Sequence, residues 1–196
     1  MAALERRIYE MIEQEREKID PKAKHLSFDS ELTGIARERS SDMAVKHYMA
    51  HTAPNGDTSA TLIMAKDANF QGLLGENIAA QHYTKAGGVD VETFAKRFVD
   101  TWLASKSHRD NLAFAEYDHT GVGAAVDGDT VYVTQLFSTD LGLKPPASAA
   151  QTAPQPDPRR VSRFSDPETA RTSEPVKSDL RLRGAMGVDA PAAGGN

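Results

Sequence analysis

Three polar residues that lie far apart in the sequence have the side chains best suited to chemistry. His51 follows an amphipathic segment, Glu76 lies in the stretch Gly75-Glu76-Asn77, which we interpret as a glycine-led turn, and His108 lies at the end of an apolar helical run. Two imidazoles and one carboxylate form a ligand set that suits a zinc ion with an open coordination position. The same residues also fit hydrogen-bonded structural roles, because gaps of 25 and 32 residues do not form a local motif.

The composition narrows the classes of site and partner. The chain has no cysteine, so any metal ion must be held by His, Asp or Glu. Residues 1–143 contain 15 basic and 22 acidic residues, a net charge of −7, which argues against nucleic acid as a partner. No stretch approaches the roughly 20 apolar residues of a membrane span, and no basic and apolar leader precedes Leu4. We therefore expect no transmembrane segment, and no signal peptide is visible.

The chain divides into two parts near residue 143. Eight of the ten prolines lie from Pro145 onward, whereas six of the seven phenylalanines, all five tyrosines and the only tryptophan lie before it. A segment of this composition cannot bury enough apolar surface to offset the entropy lost on ordering. The sequence predicts a folded domain over residues 1–143 and a disordered tail over residues 144–196, in which Leu180 to Met186 is a candidate for a transient helix or a docking segment.

Hydrophobic periodicity predicts three main helices and one short helix. The first spans about residues 2–18, and the second begins after Asp29 and ends near Lys46 or Tyr48. A short helix begins at residue 58 or 59. The last is capped by Asp90 and has an aromatic residue at every fourth position, namely Phe94, Phe98 and Trp102. This spacing places the aromatic stripe in the core.

A β-hairpin is predicted after the helices. Residues 120–126 and 130–137 are rich in β-forming residues, and Asp127-Gly128-Asp129 between them is typical of a tight turn. Gly121 and Gly123 lie inside the first strand, where glycine indicates that another part of the chain comes close. We expect Trp102 or a helix to pack over them.

Five short motifs occur in the order that is typical of one known family. They are Asp42-Met43-Ala44 followed by His51, Gly75-Glu76-Asn77-Ile78-Ala79, Trp102-Leu103-x-Ser105-x-x-His108-Arg109-x-Asn111-Leu112, Gly121-Val122-Gly123, and Tyr132-x-Thr134-Gln135-x-Phe137. With these motifs the chain resembles the CAP superfamily of cysteine-rich secretory, antigen 5 and pathogenesis-related proteins. It is most similar to the cysteine-free, single-domain bacterial branch. The resemblance covers about residues 4–140.

The resemblance implies an α+β fold in which a small antiparallel sheet lies between helical layers, a three-layer α-β-α sandwich. It also implies a solvent-open cleft lined by two histidines and two acids, with His51, Glu76 and His108 at three of the four positions. The fourth acid has no clear match: Asp57 is the nearest carboxylate and Asn55 is a competing occupant. Asn77, next to Glu76, joins the set of expected cleft residues.

Two functions are consistent with these residues. The first is a monomeric binding or envelope-interaction module outside the cytoplasm, whose cleft takes a divalent cation, a small molecule, a lipid or an envelope component. The alternative is a metal-assisted hydrolase, in which His51, Glu76 and His108 hold zinc and activate a bound water. The fold alone does not choose between them.

Overall fold

Most of the helices precede the central hairpin along the domain. The computed structural model describes residues 1–84, 87–139 and 182–183. The helices of this part are α1 (Ala2–Ile19), α2 (Ser30–Lys46), α3 (Ser59–Lys66), α4 (Val91–Ala104) and α5 (Lys106–Ala113). Its strands are β1 (Ser27–Phe28), β2 (Leu74–His82), β3 (His119–Asp127), β4 (Thr130–Ser138) and β5 (Leu182–Arg183). The four predicted helices and the hairpin are all confirmed.

The sheet has an antiparallel centre and two short parallel edges. The strand order is β1-β3-β4-β2-β5, and β4 pairs antiparallel with both β3 and β2. The edge strands β1 and β5 have two residues each and pair parallel with β3 and β2. The hairpin between β3 and β4 turns at Gly128, whose φ of 59° is easy for glycine. The small sheet is therefore mixed, with its antiparallel part in the middle.

Helices cover both faces of the sheet, as the α-β-α sandwich predicts. Side chains of β4 alternate between the two faces: Val131, Val133 and Phe137 pack in the core that contains α1 and α4, whereas Leu136 packs with α2 and α3. The predicted aromatic stripe of α4 lies in the first of these cores, and Trp102 is fully buried. The predicted three-layer fold is thus confirmed.

Helix α1 is tied to the domain by apolar and polar contacts. Leu4, Ile8 and Ile12 are fully buried in the same core as α4. Glu5, also buried, accepts a hydrogen bond at 3.1 Å from the backbone N–H of Ala124 in β3. The apolar stripe and the buried carboxylate together fix α1 against the sheet.

A buried arginine near the end of α1 joins several loops. The guanidinium of Arg16 donates to four backbone carbonyls, those of Lys24, Leu112, Phe114 and Tyr117, at 2.7–3.3 Å. Arg16 is only 2% exposed. A single side chain therefore holds the end of α5 and the start of β3 to the first helix.

Helix α2 lies directly on the backbone of β3. A Cβ atom at Gly121 would overlap the backbone of Leu32 and Thr33, and one at Gly123 would overlap that of Ala36 and Arg37. The two glycines therefore leave room for a helix. This confirms one of the two alternatives expected from the sequence, which were a helix or Trp102. Trp102 is not that neighbour.

Most of the predicted tail lies outside the described residues, and so does the predicted boundary at residue 143. Leu182 and Arg183 are the two tail residues that the structure describes, and they form β5 beside Leu74 and Gly75. Within the described residues, no helix has the length and apolar character needed to cross a membrane.

Candidate functional site

Glu76 lies in a strand and not in the turn that its Gly-Glu-Asn context suggested. Strand β2 contains Gly75, Glu76 and Asn77, and the side chains of Glu76 and Asn77 are both fully buried. Gly75 is required for a packing reason, because a Cβ atom there would meet the Tyr117 ring. Successive residues of a strand point to opposite faces, so Glu76 and Asn77 serve different sides of the sheet.

The structure brings His51 and Glu76 together, 25 positions apart in the sequence. The His51 Nδ1 atom lies 3.2 Å from Glu76 Oε2, within hydrogen-bond distance. The imidazole is 19% exposed, while the carboxylate has no exposed surface. A buried carboxylate thus holds an imidazole that reaches the surface.

Arg39 fixes the loop that carries His51, and the sequence analysis did not identify it. Its Nη2 atom donates to the carbonyls of Ala50 and His51 at 2.9 and 3.1 Å. Its Nε atom lies 3.9 Å from Glu76 Oε1, too far for a hydrogen bond but close enough for charge attraction in a site that is only 1% exposed. Arg39 therefore positions both members of the His51–Glu76 pair.

The sequence did contain a signal for Arg39. It lies four residues after Ile35 and four before Met43, both of which belong to the buried stripe of α2. Residues four apart share one face of a helix, so Arg39 had to point inward with them. An arginine in an apolar stripe is unusual unless its charge is paired.

A polar network continues from Arg39 to the end of α2. Arg39 Nη1 donates to the Tyr48 hydroxyl at 3.0 Å, and that hydroxyl donates to Asp42 Oδ2 at 2.5 Å. Burial, together with the hydrogen bond to Asp42, raises the pKa of Tyr48 to about 12. Hydrogen bonds from Lys46 and Tyr48 lower the pKa of Asp42. The network keeps Tyr48 neutral and Asp42 charged.

His108 lies inside a helix of its own, which corrects the prediction that it ends the aromatic helix. Helix α4 ends at Ala104, Ser105 is extended with ψ of 127°, and α5 begins at Lys106. The amide of Asn77 donates to the His108 carbonyl at 3.3 Å. His108 is thus joined to β2 through its backbone, beside the strand that carries Glu76.

Asn77 and Asn111 connect α5 to β2. The Asn111 amide donates to the backbone carbonyl of Glu76 at 3.1 Å and to Asn77 Oδ1 at 2.9 Å. Both side chains are buried. These bonds satisfy polar groups that would otherwise be costly to bury, and they set the distance between the helix and the strand.

Asp57 and Asn55, the two candidates for the fourth position, are bonded to each other. Asn55 Nδ2 donates to Asp57 Oδ2 at 2.7 Å, and the Asp57 N–H donates to Asn55 Oδ1 at 3.1 Å. Both residues line a surface pocket whose wall also includes Arg39 and Asp42. Across residues 1–84 and 87–139, no three His, Asp or Glu side chains are arranged to hold a metal ion. The zinc ligand set therefore stays a prediction.

Comparison with known proteins shows the family of the chain. The model of the CAP family, described as the cysteine-rich secretory protein family, matches residues 13–137. The chain belongs to the CAP family. The predicted resemblance is confirmed, and the absence of cysteine fits the bacterial branch.

Three relatives of this CAP protein are bacterial. Uncharacterized protein YkwD of Bacillus subtilis is 28% identical over 137 residues, which are 70% of this chain and 48% of that protein. An outer surface protein from Borrelia burgdorferi has 25% identity and a TM-score of 0.55 over 67% of this chain and 88% of that one. An extracellular protein containing a SCP domain from Bacillus anthracis has 28% identity and the same TM-score over 70% of this chain and 40% of that one. The chain spans about half the length of the curated relative it matches.

Proposed function

We propose that this CAP protein is a binding module whose cleft is built around the His51–Glu76 pair. The observation that carries the proposal is the 3.2 Å contact between a partly exposed imidazole and a fully buried carboxylate. A carboxylate that accepts a hydrogen bond from one ring nitrogen fixes the orientation and tautomer of the ring. The other ring nitrogen, Nε2, then contacts the ligand.

The chemistry of this pair favours a divalent cation or a small polar ligand. With its proton on Nδ1, the imidazole offers a lone pair at Nε2, which suits a metal ion or a hydrogen-bond donor. In this arrangement Glu76 orients the imidazole, and His108 and Asp57 are the remaining candidates for direct contact. Arg39 lies beside the other carboxylate oxygen, with its Nε atom 3.9 Å from Glu76 Oε1.

The names of two relatives support a location outside the cytoplasm. They describe an outer surface protein of Borrelia burgdorferi and an extracellular protein of Bacillus anthracis. The proposal is that this protein acts outside the cytoplasm as well, with a small molecule, a lipid or a component of the cell envelope as its partner. The acidic residues of the domain agree with a cationic ligand.

Calorimetric titration of the full chain with Zn²⁺ tests the proposal. Binding should be weaker at pH 5.5 than at pH 7.5, because a protonated imidazole cannot bind a cation. His51→Ala should weaken binding by about tenfold or more, the effect expected when one of a few ligands is lost. His108→Ala tests whether the second histidine contributes.

The chain offers a matched control for this experiment. His25 also contacts a carboxylate, at 2.6 Å from Glu13, but its side chain is 92% exposed and belongs to another surface. His25→Ala should leave the titration unchanged. If His25→Ala and His51→Ala reduce zinc binding equally, the ion binds surface histidines and the cation site is wrong; no heat at millimolar zinc would leave only an organic ligand.

A further inference from the structure

The outer edge of β2 is closed by helix side chains over part of its length. The indole N–H of Trp102 donates to the carbonyl of Ile78 at 3.2 Å, and the Asn111 amide donates to that of Glu76. Backbone groups of a strand alternate between its two edges, so even-numbered residues of β2 face this outer edge. The backbone groups of odd-numbered residues face β4, as the 3.0 Å hydrogen bond from the Thr139 N–H to the Leu73 carbonyl shows.

Leu74 is the even-numbered residue at the open end of this edge. With β5 in place, Leu74 is only 2% exposed, and backbone groups buried in this way need a hydrogen-bond partner. The strand β5 supplies one, with the parallel register Leu74 to Leu182 and Gly75 to Arg183. This register sets the backbone of Arg183 between Leu74 and Glu76.

We infer that this open end of the β2 edge is a peptide-docking site, and that its occupant is the chain's own segment around Leu182 and Arg183. The segment reads Leu180-Arg181-Leu182-Arg183, an alternation of period two that suits an added strand. Its two arginines complement a domain with a net charge of −7 over residues 1–143. Parallel addition of a strand to a free edge is a known mode of peptide recognition.

The connection between the domain and this segment is long enough for the docking. Thr139 and Leu182 are 43 positions apart, and a chain of that length reaches up to about 140 Å when extended. A tether of this kind keeps the segment at a high effective concentration around its site. The ladder is only two residues long, so the docking is reversible, and an extended basic segment from another protein competes for the same edge.

The site lies directly beside the proposed cleft. Gly75 precedes Glu76 in the strand, and the Glu76 N–H faces the same outer edge as Leu74. The docked segment therefore orders the strand at the residue that holds His51. This inference does not depend on which ligand the cleft binds.

Amide hydrogen exchange measured by NMR on the full chain tests the docking. Arg183→Pro removes the N–H that this register directs at the β2 edge, and it should speed exchange at Leu74 and Glu76 by about tenfold as local opening becomes easier. The matched control is Arg183→Ala, which removes the same charge but keeps the N–H that this register directs at the edge. It should leave both amides unchanged. The Gly75 N–H faces β4 and serves as an internal reference.

Three results would overturn the inference. Unchanged exchange in Arg183→Pro would show that the segment does not pair with β2, and equal effects of Arg183→Pro and Arg183→Ala would show that the charge alone acts. Dependence of the Leu74 exchange on protein concentration would show that the segment comes from a second chain. A peptide of residues 179–185 added to the Arg183→Pro variant should restore the slow exchange, and a scrambled peptide should not.

Discussion

Trp102 provides the sharpest test of the described core. It is fully buried, packs beside Phe98 with ring centroids 6.2 Å apart, and donates its indole N–H to the Ile78 carbonyl. Two variants separate these contributions. Trp102→Phe keeps an aromatic ring but leaves the carbonyl unpaired, whereas Trp102→Ala also creates a cavity.

The expected losses follow from those two effects. An unpaired buried carbonyl costs about 1–3 kcal/mol, which we expect for Trp102→Phe. Truncating a buried aromatic to alanine costs about 3–5 kcal/mol, and Trp102→Ala should lie at the upper end because the hydrogen bond is lost as well. A domain of ordinary stability has about 5–15 kcal/mol in total, so the alanine variant removes a large share of it.

The assay is urea unfolding followed by far-ultraviolet circular dichroism. Tryptophan fluorescence can be measured only in the parent protein, since Trp102 is the only tryptophan in the chain. Iodide should fail to quench the fluorescence of this buried residue. The control is Lys96→Ala, whose exposed pair with Asp100 contributes less than about 0.5 kcal/mol. A loss below about 0.5 kcal/mol in Trp102→Phe, or strong iodide quenching of the parent, would refute the packing described for α4.

Three further predictions concern other parts of the domain. Gly123→Ala should lower the free energy of unfolding by about 1–3 kcal/mol or more, because its Cβ would meet the rigid backbone of α2; Gly34→Ala, which meets nothing within 4 Å, should not lower it. Arg16→Met should cost about 1–3 kcal/mol or more, because it removes the donor of the buried Leu112 carbonyl, whereas Arg6→Met, at an exposed residue, should cost little. Equal urea midpoints for the two variants would contradict this. The pKa of Tyr48 is raised to about 12, so its contribution to the free energy of unfolding is complete below the ordinary tyrosine pKa of about 10 and is lost as the pH rises to about 12. Urea unfolding at increasing pH should show this loss of stability in the parent and not in Tyr48→Phe.

The sequence predicts the fold well where the signal is local. The every-fourth-residue stripe of α4 and the Asp-Gly turn between β3 and β4 each depend on neighbours within one element, and both are confirmed. The resemblance then supplied the layer order, which local patterns do not contain. It is also confirmed.

Non-local packing explains where the sequence analysis was wrong. Gly75 suggested a turn because glycine usually marks backbone freedom, but here it makes room for Tyr117, 42 positions later. Arg39 was missed because a buried arginine becomes understandable only when its partners from the following loop are known. Ser105 breaks one predicted helical run into two, which moved His108 from the end of one helix into another. The error at Gly75 comes from a contact that the sequence alone does not locate, whereas the buried position of Arg39 is indicated by the apolar stripe of α2.

The packing of α1 has a consequence for the synthesis of the chain. The bond between Glu5 and Ala124 joins residues 119 positions apart. At about 5–20 residues per second, roughly 6–24 s pass between the translation of the two. During that time Leu4, Ile8 and Ile12 have emerged, or are emerging, before the strand they pack on exists. Helix α1 is therefore made well before α4 and β3, against which it packs, and its apolar stripe is open to capture by a chaperone until they follow.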